Sequence, residues 1–192
     1  MTLIEEMEAY AKDFDVPIMQ KEGIDFMCKF INENKITSIL EIGSAIGYSA
    51  IRMAQLNKNI HITTIERDEE RYKKAVDYIQ RSGLEKQINI IYGDALETVV
   101  NGSYDMIFID AAKAQYIRFF ERYEGYLKKD GYIITDNLKF HGFVEHKELV
   151  KNRNLRQLVG KIQRFVDYLK NREDFDTTFY EFGDGVGISR KK

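Results

Sequence analysis

Two short polar motifs interrupt apolar runs in the second half of the chain, Phe108-Ile109-Asp110-Ala111-Ala112-Lys113 and Thr135-Asp136-Asn137. Two carboxylates and an amide carbonyl are hard oxygen donors. Such a set suits an octahedral Mg²⁺ that keeps its remaining positions for water or for the oxygens of an acceptor molecule. Asp110, Asp136 and Asn137 are therefore candidate metal ligands. The competing reading makes Asp136-Asn137 an Asx turn and Lys113 a solvated surface charge. The three histidines, His61, His141 and His146, lack the spacing of a zinc site and are expected in strands or loops.

A second constellation lies earlier. Glu41-Ile42-Gly43-Ser44-Ala45-Ile46-Gly47-Tyr48-Ser49 reads as a strand end and a glycine-containing turn that opens a helix, where glycine permits close backbone approach to a ligand. Ala45 stands where a dinucleotide fingerprint would carry its middle glycine, so pyrophosphate cradling is not expected. Glu66 ends the next strand, where its carboxylate can accept hydrogen bonds from both hydroxyls of a ribose. That geometry serves any adenosine ligand.

The elements that must position these residues alternate. Segments 38–42, 60–66, 88–92 and 104–110 are rich in β-branched residues and read as strands. Helical spacing occupies Tyr48 to Leu56, Glu69 to Arg81 and Tyr116 to Leu127. Alternation of this kind predicts an α/β fold with a mostly parallel sheet and helices on both faces. A fifth strand, 131–136, is expected after a Lys128-Lys129-Asp130-Gly131 turn. Thr177 to Phe182 and Val186 to Arg190 form an expected antiparallel C-terminal pair around Gly183-Asp184-Gly185. Glu41, Glu66, Asp94, Asp110 and Asp136 all fall at or just after strand carboxyl ends, where open α/β sheets place their ligands. The alternative is that they only cap the helices that follow. Tyr116 and Phe119-Phe120 read as core or dimer contact.

At 192 residues with one Pro, the chain is expected to form a single domain over 1–192. No apolar run approaches a membrane span, and the N-terminus lacks the pattern of a signal peptide. A cytoplasmic protein without membrane contact is expected. Lone Cys28 is assigned to the core. The net charge of −2 conceals an asymmetry, with eight acids against three bases in residues 1–34 and nine bases against three acids from Lys139 to Arg172. Between Arg153 and Lys170, Leu155, Leu158, Val159, Ile162, Val166 and Leu169 share one helical face. Arg153, Arg156, Lys161 and Arg164 lie roughly opposite. Together with Lys139, Lys147 and Lys151 they form a candidate basic surface for a polyanion, or else simply a solvated face.

Val16-Pro17-Ile18-Met19, Leu40-Glu41-Ile42-Gly43 with Gly47-Tyr48-Ser49, and Gly93-Asp94-Ala95 resemble class I methyltransferases of the catechol and caffeoyl-CoA type. The resemblance covers nearly the whole chain. It implies a Rossmann-like fold, S-adenosylmethionine and Mg²⁺ as cofactors, and a homodimer. By that likeness Met19, Glu41, Gly43, Gly47, Ser49, Glu66, Asp94, Ala95 and Asp110 bind the cofactor, with Glu66 on the ribose and Asp94-Ala95 at the adenine. Asp110, Asp136 and Asn137 hold the metal, Lys113 acts as base, and Asp110 joins it in catalysis. The likeness fits the chemistry, since like charges disfavour a protonated lysine beside a cation and a hydroxyl beside a metal ion becomes more acidic.

The wider pattern, including Asp110-Ala111-Ala112-Lys113 and Gly183-Asp184-Gly185, resembles bacterial tRNA 5-hydroxyuridine methyltransferases. This implies an anticodon-loop acceptor whose 5-hydroxyl and 4-carbonyl form a vicinal oxygen pair, with Lys139, Arg153, Arg156, Lys161 and Arg164 on RNA. Two other readings stand beside it: a small-molecule catechol-type O-methyltransferase and a non-catalytic adenosine-binding module.

Overall fold

Alternating strands and helices emerge much as the periodicity predicts, in a computed structural model that describes residues 1–139, 152–181 and 183–192. The chain forms two compact units, Met1–Asn101 and Gly102–Lys192. In the first, α1 (Leu3–Asp13) and α2 (Lys21–Glu33) precede β1 (Ser38–Ile42), α3 (Tyr48–Ala54), β2 (His61–Glu66), α4 (Glu69–Ser82) and β3 (Ile88–Tyr92). Local chemistry fixes the helix ends. Thr2 and Glu5 close a capping box on α1, and the Asp68 carboxylate accepts the Arg71 N–H at the start of α4. Gly83, left-handed at φ 71°, ends that helix. Cys28 is buried, as assigned.

The three strands run parallel in the order β3-β2-β1. Register matters more than order here. Glu41 on β1 faces Thr64 on β2, so two polar side chains meet in an interior otherwise built from Ile39, Leu40, Ile42, Ile62 and Ile65.

The second unit contains β4 (Tyr104–Ile109), a 3-10 turn (Lys113–Gln115), α5 (Tyr116–Tyr123), a further 3-10 turn (Glu124–Tyr126), β5 (Leu127–Thr135), α6 (Arg153–Lys170), β6 (Phe175–Tyr180) and β7 (Val186–Lys191). Strand order is β4-β5-β7-β6. The β4–β5 pair is parallel, and the last two pairings are antiparallel. Phe182, expected at the end of β6, lies outside the described residues, as do His141, His146, Lys147 and Lys151.

Two expectations change. The Lys128–Gly131 segment is a bulge inside β5 rather than a turn before it, because Leu127 already pairs with Tyr104 and pairing resumes at Met106 with Tyr132. Asp130 adopts φ 61° within the bulge. A side chain at Gly131 would stand 2.9 Å from the Lys128 carbonyl and 3.0 Å from that of Asp105. Beyond the bulge the register runs undisturbed to Ile109 opposite Thr135, which leaves Asp110 and Asp136 leaving the sheet side by side.

The helix expected from Tyr116 to Leu127 is shorter, since its end tightens into the 3-10 turn that feeds β5. The apolar face of α6 is centred on Val159, Ile162, Phe165 and Leu169. Phe165 sets its ring 5.2 Å from that of Tyr116 and 6.2 Å from that of Phe120, and a fully buried ring of this size contributes roughly 1.5–3 kcal/mol. Among the described residues no helix is long and apolar enough to cross a membrane.

Candidate functional site

The glycine turn of the first unit is fastened from behind. Gly43 and Ser44 donate their N–H groups to the Ile65 carbonyl at 3.0 and 3.2 Å, which ties the loop to the end of β2. Gly43 and Gly47 take φ of 97° and 82°, and Ala45 takes 46°. A left-handed alanine costs on the order of 1 kcal/mol. The hydrogen bond that holds it there runs from the Ala45 N–H to Glu66 Oε2 at 2.7 Å. Glu66 Oε1 accepts the Asp68 N–H at 2.8 Å. A carboxylate has about four acceptor sites, so Glu66 retains capacity for ribose hydroxyls while its own chain fixes its orientation.

Glu41 is engaged by the fold itself. It is 0% exposed, and it accepts hydrogen bonds from the Ser49 hydroxyl and, at 2.5 Å, from the Thr64 hydroxyl. Glu41 and Ser49 thus brace β1, β2 and α3 against one another directly beneath the glycine turn. Met19 is also buried, its methyl group placed where a side chain at Gly23 would come within 3.1 Å. Asp94 accepts the Leu96 N–H at 2.8 Å and caps the short turn that follows, and neighbouring Ala95 is buried. Thr64 escaped sequence reasoning because only strand register places it opposite Glu41.

In the second unit the carboxylates meet each other. Asp136 is 6% exposed. The Asn137 amide nitrogen lies 3.0 Å from Asp136 Oδ2 and 3.3 Å from Asp110 Oδ1. Burial pushes the Asp110 carboxyl above the ordinary aspartate range, while Lys113 pulls it back. Burial also pushes Asp136 up to about 7. The Asp110 charge adds to that rise, the Asn137 backbone and Lys113 oppose it, and Asp184 contributes a further push. Such crowding disfavours charge on both acids together, and a divalent cation reverses that preference. Among the described residues no three His, Cys, Asp or Glu side chains gather into a metal cluster. A cation here would therefore use Asp110, Asp136 and the Asn137 amide turned to present its oxygen, a rotation that exchanges two nearly isosteric ends. These donors fit a hard divalent ion.

The segment carrying these groups is clamped on both sides. Asn137 adopts φ 62°, a conformation asparagine tolerates better than most side chains. The buried Tyr116 hydroxyl donates to the Asp136 carbonyl at 3.0 Å, so an expected core residue also positions the acid. Leu138 and Lys139 donate N–H groups to the Gly185 and Asp184 carbonyls at 2.9 and 2.8 Å. A side chain at Gly185 would approach the Lys139 nitrogen to 2.9 Å, and one at Gly187 would approach Leu138 Cδ1 to 2.7 Å. Gly183-Asp184-Gly185 thereby acquires a role, with glycine at 185 letting the hairpin press against the acid segment.

An O-methyltransferase family model matches residues 2–192. The chain belongs to this O-methyltransferase family. A Staphylococcus aureus protein provisionally assigned as a caffeoyl-CoA O-methyltransferase has a solved structure 42% identical in sequence, with a TM-score of 0.95 over 100% of this chain and 93% of that one. An Arabidopsis thaliana protein with the same provisional assignment is 29% identical over 185 residues, covering 93% of this chain and 78% of the relative. A Bacillus cereus O-methyltransferase solved with SAH shares the fold, at 24% identity and a TM-score of 0.85 over 99% of this chain and 90% of that one. The expected Rossmann-like α/β methyltransferase architecture, mostly parallel with an antiparallel C-terminal pair, is what these strands form.

In this O-methyltransferase the cationic residues expected to meet RNA divide into two groups. Arg153, Arg156, Lys161 and Arg164 are exposed along α6, which begins under an Asn152 cap. Lys139 instead pairs with Glu181 at 2.8 Å, so part of its charge is already answered.

Proposed function

We propose that the chain methylates one oxygen of a vicinal oxygen pair, the 5-hydroxyl of 5-hydroxyuridine in a tRNA anticodon loop, using S-adenosylmethionine and Mg²⁺. The observation that carries this reading is the crowding of Asp110, Asp136 and the Asn137 amide beside Lys113. When bound, S-adenosylmethionine supplies the methyl group and Mg²⁺ the positive charge that makes a neighbouring hydroxyl more acidic. Glu66 orients the ribose through acceptor sites left over from its bonds to Ala45 and Asp68. Asp110, Asp136 and the Asn137 amide oxygen would hold the cation, and Lys113 Nζ takes the proton the acceptor hydroxyl loses. The new carbon–oxygen bond forms as the carbon–sulfur bond breaks, and much of the rate comes from holding the partners in line.

The exposed cations of α6 favour a polyanionic acceptor, as phosphate contacts require. A second reading, a small catechol-like or acyl-CoA acceptor, draws on the provisional assignments of the S. aureus and A. thaliana relatives. The deciding experiment incubates the protein with labelled S-adenosylmethionine and Mg²⁺ together with tRNA bearing 5-hydroxyuridine or a panel of catechols and caffeoyl-CoA. The expected result is label in tRNA, lost with EDTA and weakened steeply by salt. Faster turnover of a small acceptor, or tRNA labelling indifferent to salt, would overturn the tRNA assignment.

A further inference from the structure

Between the Lys113–Gln115 turn, α5 and α6, the second unit leaves a half-open cavity of about 220 Å³ lined by Lys113, Gln115, Arg118, Lys161 and Arg164 over the buried rings of Tyr116 and Phe165. Arg118, Lys161 and Arg164 are cationic and no carboxylate among the described residues lines the cavity, while the Lys113 charge already acts on Asp110 and Asp136. Arg118 donates to the Gln115 amide oxygen at 3.2 Å, a neutral partner that leaves its charge unanswered. Lys161 and Arg164 lie three residues apart on α6, so they project from one face into the same space. Like charges gathered around a concave surface repel one another and focus a positive field into it, and both effects are relieved by an anion. Arginine forks beside a lysine and an amide donor match the tetrahedral oxygens of a phosphate.

We propose that this cavity is a phosphate subsite that seats one phosphodiester of the acceptor strand next to the modified nucleotide, an inference that rests on the tRNA reading. Tyr116 ties the subsite to the chemistry. Its ring lines the cavity, and its hydroxyl holds the Asp136 carbonyl. Lys113 lines the cavity and acts electrostatically on both Asp110 and Asp136. A phosphate seated there fixes the backbone beside the reacting base, a positioning contact with no sequence information of its own.

The test uses short oligoribonucleotides with a central 5-hydroxyuridine, each carrying one neutral methylphosphonate in place of a phosphate. They are assayed as acceptors with the wild-type protein, with Lys161→Gln/Arg164→Gln and, independently, with Arg118→Gln, after thermal melts establish that the variants fold. One methylphosphonate position beside the modified nucleotide should raise KM about tenfold in wild type, as loss of a charged hydrogen-bonding contact predicts. That penalty should vanish in the variants, whose own KM is already raised. If every methylphosphonate costs the same in wild type and variants, the subsite is overturned while tRNA methylation stands. If no oligonucleotide or tRNA is methylated and a catechol is, the tRNA reading falls and the subsite falls with it.

Discussion

In the first unit the acids Glu41 and Glu66 each meet donors from their own chain, two hydroxyls for one and two backbone N–H groups for the other. In the second unit Asp110 and Asp136 meet chiefly each other, with one amide shared between them. Both pairs stand at strand ends, and both are partly or wholly buried. The first arrangement is complete as a scaffold and offers spare acceptor sites to hydroxyls. The second crowds two acids with only Lys113 to offset them, an arrangement that suits a cation. With both pairs at strand ends, the surrounding donors decide which groups each pair suits, hydroxyls for the first and a cation for the second.

The most severe break in this contrast is Asp136→Asn, which removes one of the two crowded charges. Turnover should fall by about 100-fold or more, the loss expected when a ligand set for a catalytic cation is damaged. The metal-free protein should respond in the opposite sense. Its Asp136 carboxyl is raised above the free aspartate value towards about 7, so folding takes up a proton. The associated stability is fully present below the ordinary aspartate range and is lost as pH climbs through 7. In EDTA, melting temperature followed from pH 4 to 8 should decline more steeply for wild type than for Asp136→Asn. Parallel curves would show that burial and the neighbouring Asp110 do not raise the Asp136 carboxyl.

A smaller effect is expected from Glu66→Ala. The substitution strands the Ala45 and Asp68 N–H groups, at roughly 1–3 kcal/mol for each that stays unsatisfied, and it removes the acceptor proposed for the ribose. Calorimetry should show S-adenosylmethionine affinity reduced about tenfold to 100-fold together with a lower melting temperature. A loss of stability with unchanged affinity would make Glu66 purely a brace for the loop.

The mildest change sharpens the same contrast. Ala45→Gly relieves a left-handed alanine and adds backbone entropy to the unfolded chain, two terms of opposite sign near 1 kcal/mol each. Denaturant melts should place the variant within about 1 kcal/mol of wild type. A larger destabilisation would mean that the Ala45 methyl group itself packs against something the loop needs.

Much of this was legible in the residues. Apolar β-branched runs that stop at carboxylates announce strand ends, and Glu66, Asp110 and Asp136 stand where that rule puts them. What a strand pairs with is less legible, because Thr64 becomes a partner of Glu41 only through register, and Tyr116 meets Asp136 only through packing. Polar Lys128-Lys129-Asp130 before a glycine has the composition of a turn, yet the parallel partner accommodates it as a bulge. Phe165 was absent from the expected apolar face of α6 although it anchors that helix, since its significance lies in the rings of α5 that it touches.

The bulge in β5 also acts as a buffer against changes in chain length. It absorbs its extra residues before pairing resumes at Tyr132, so a residue inserted or deleted at 128–130 should be taken up there and leave Asp110 beside Asp136. The same change between Tyr132 and Thr135 would turn Asp136 to the opposite face of the strand and separate the two acids. Within one strand, chain length is thus adjustable before Tyr132 and fixed after it.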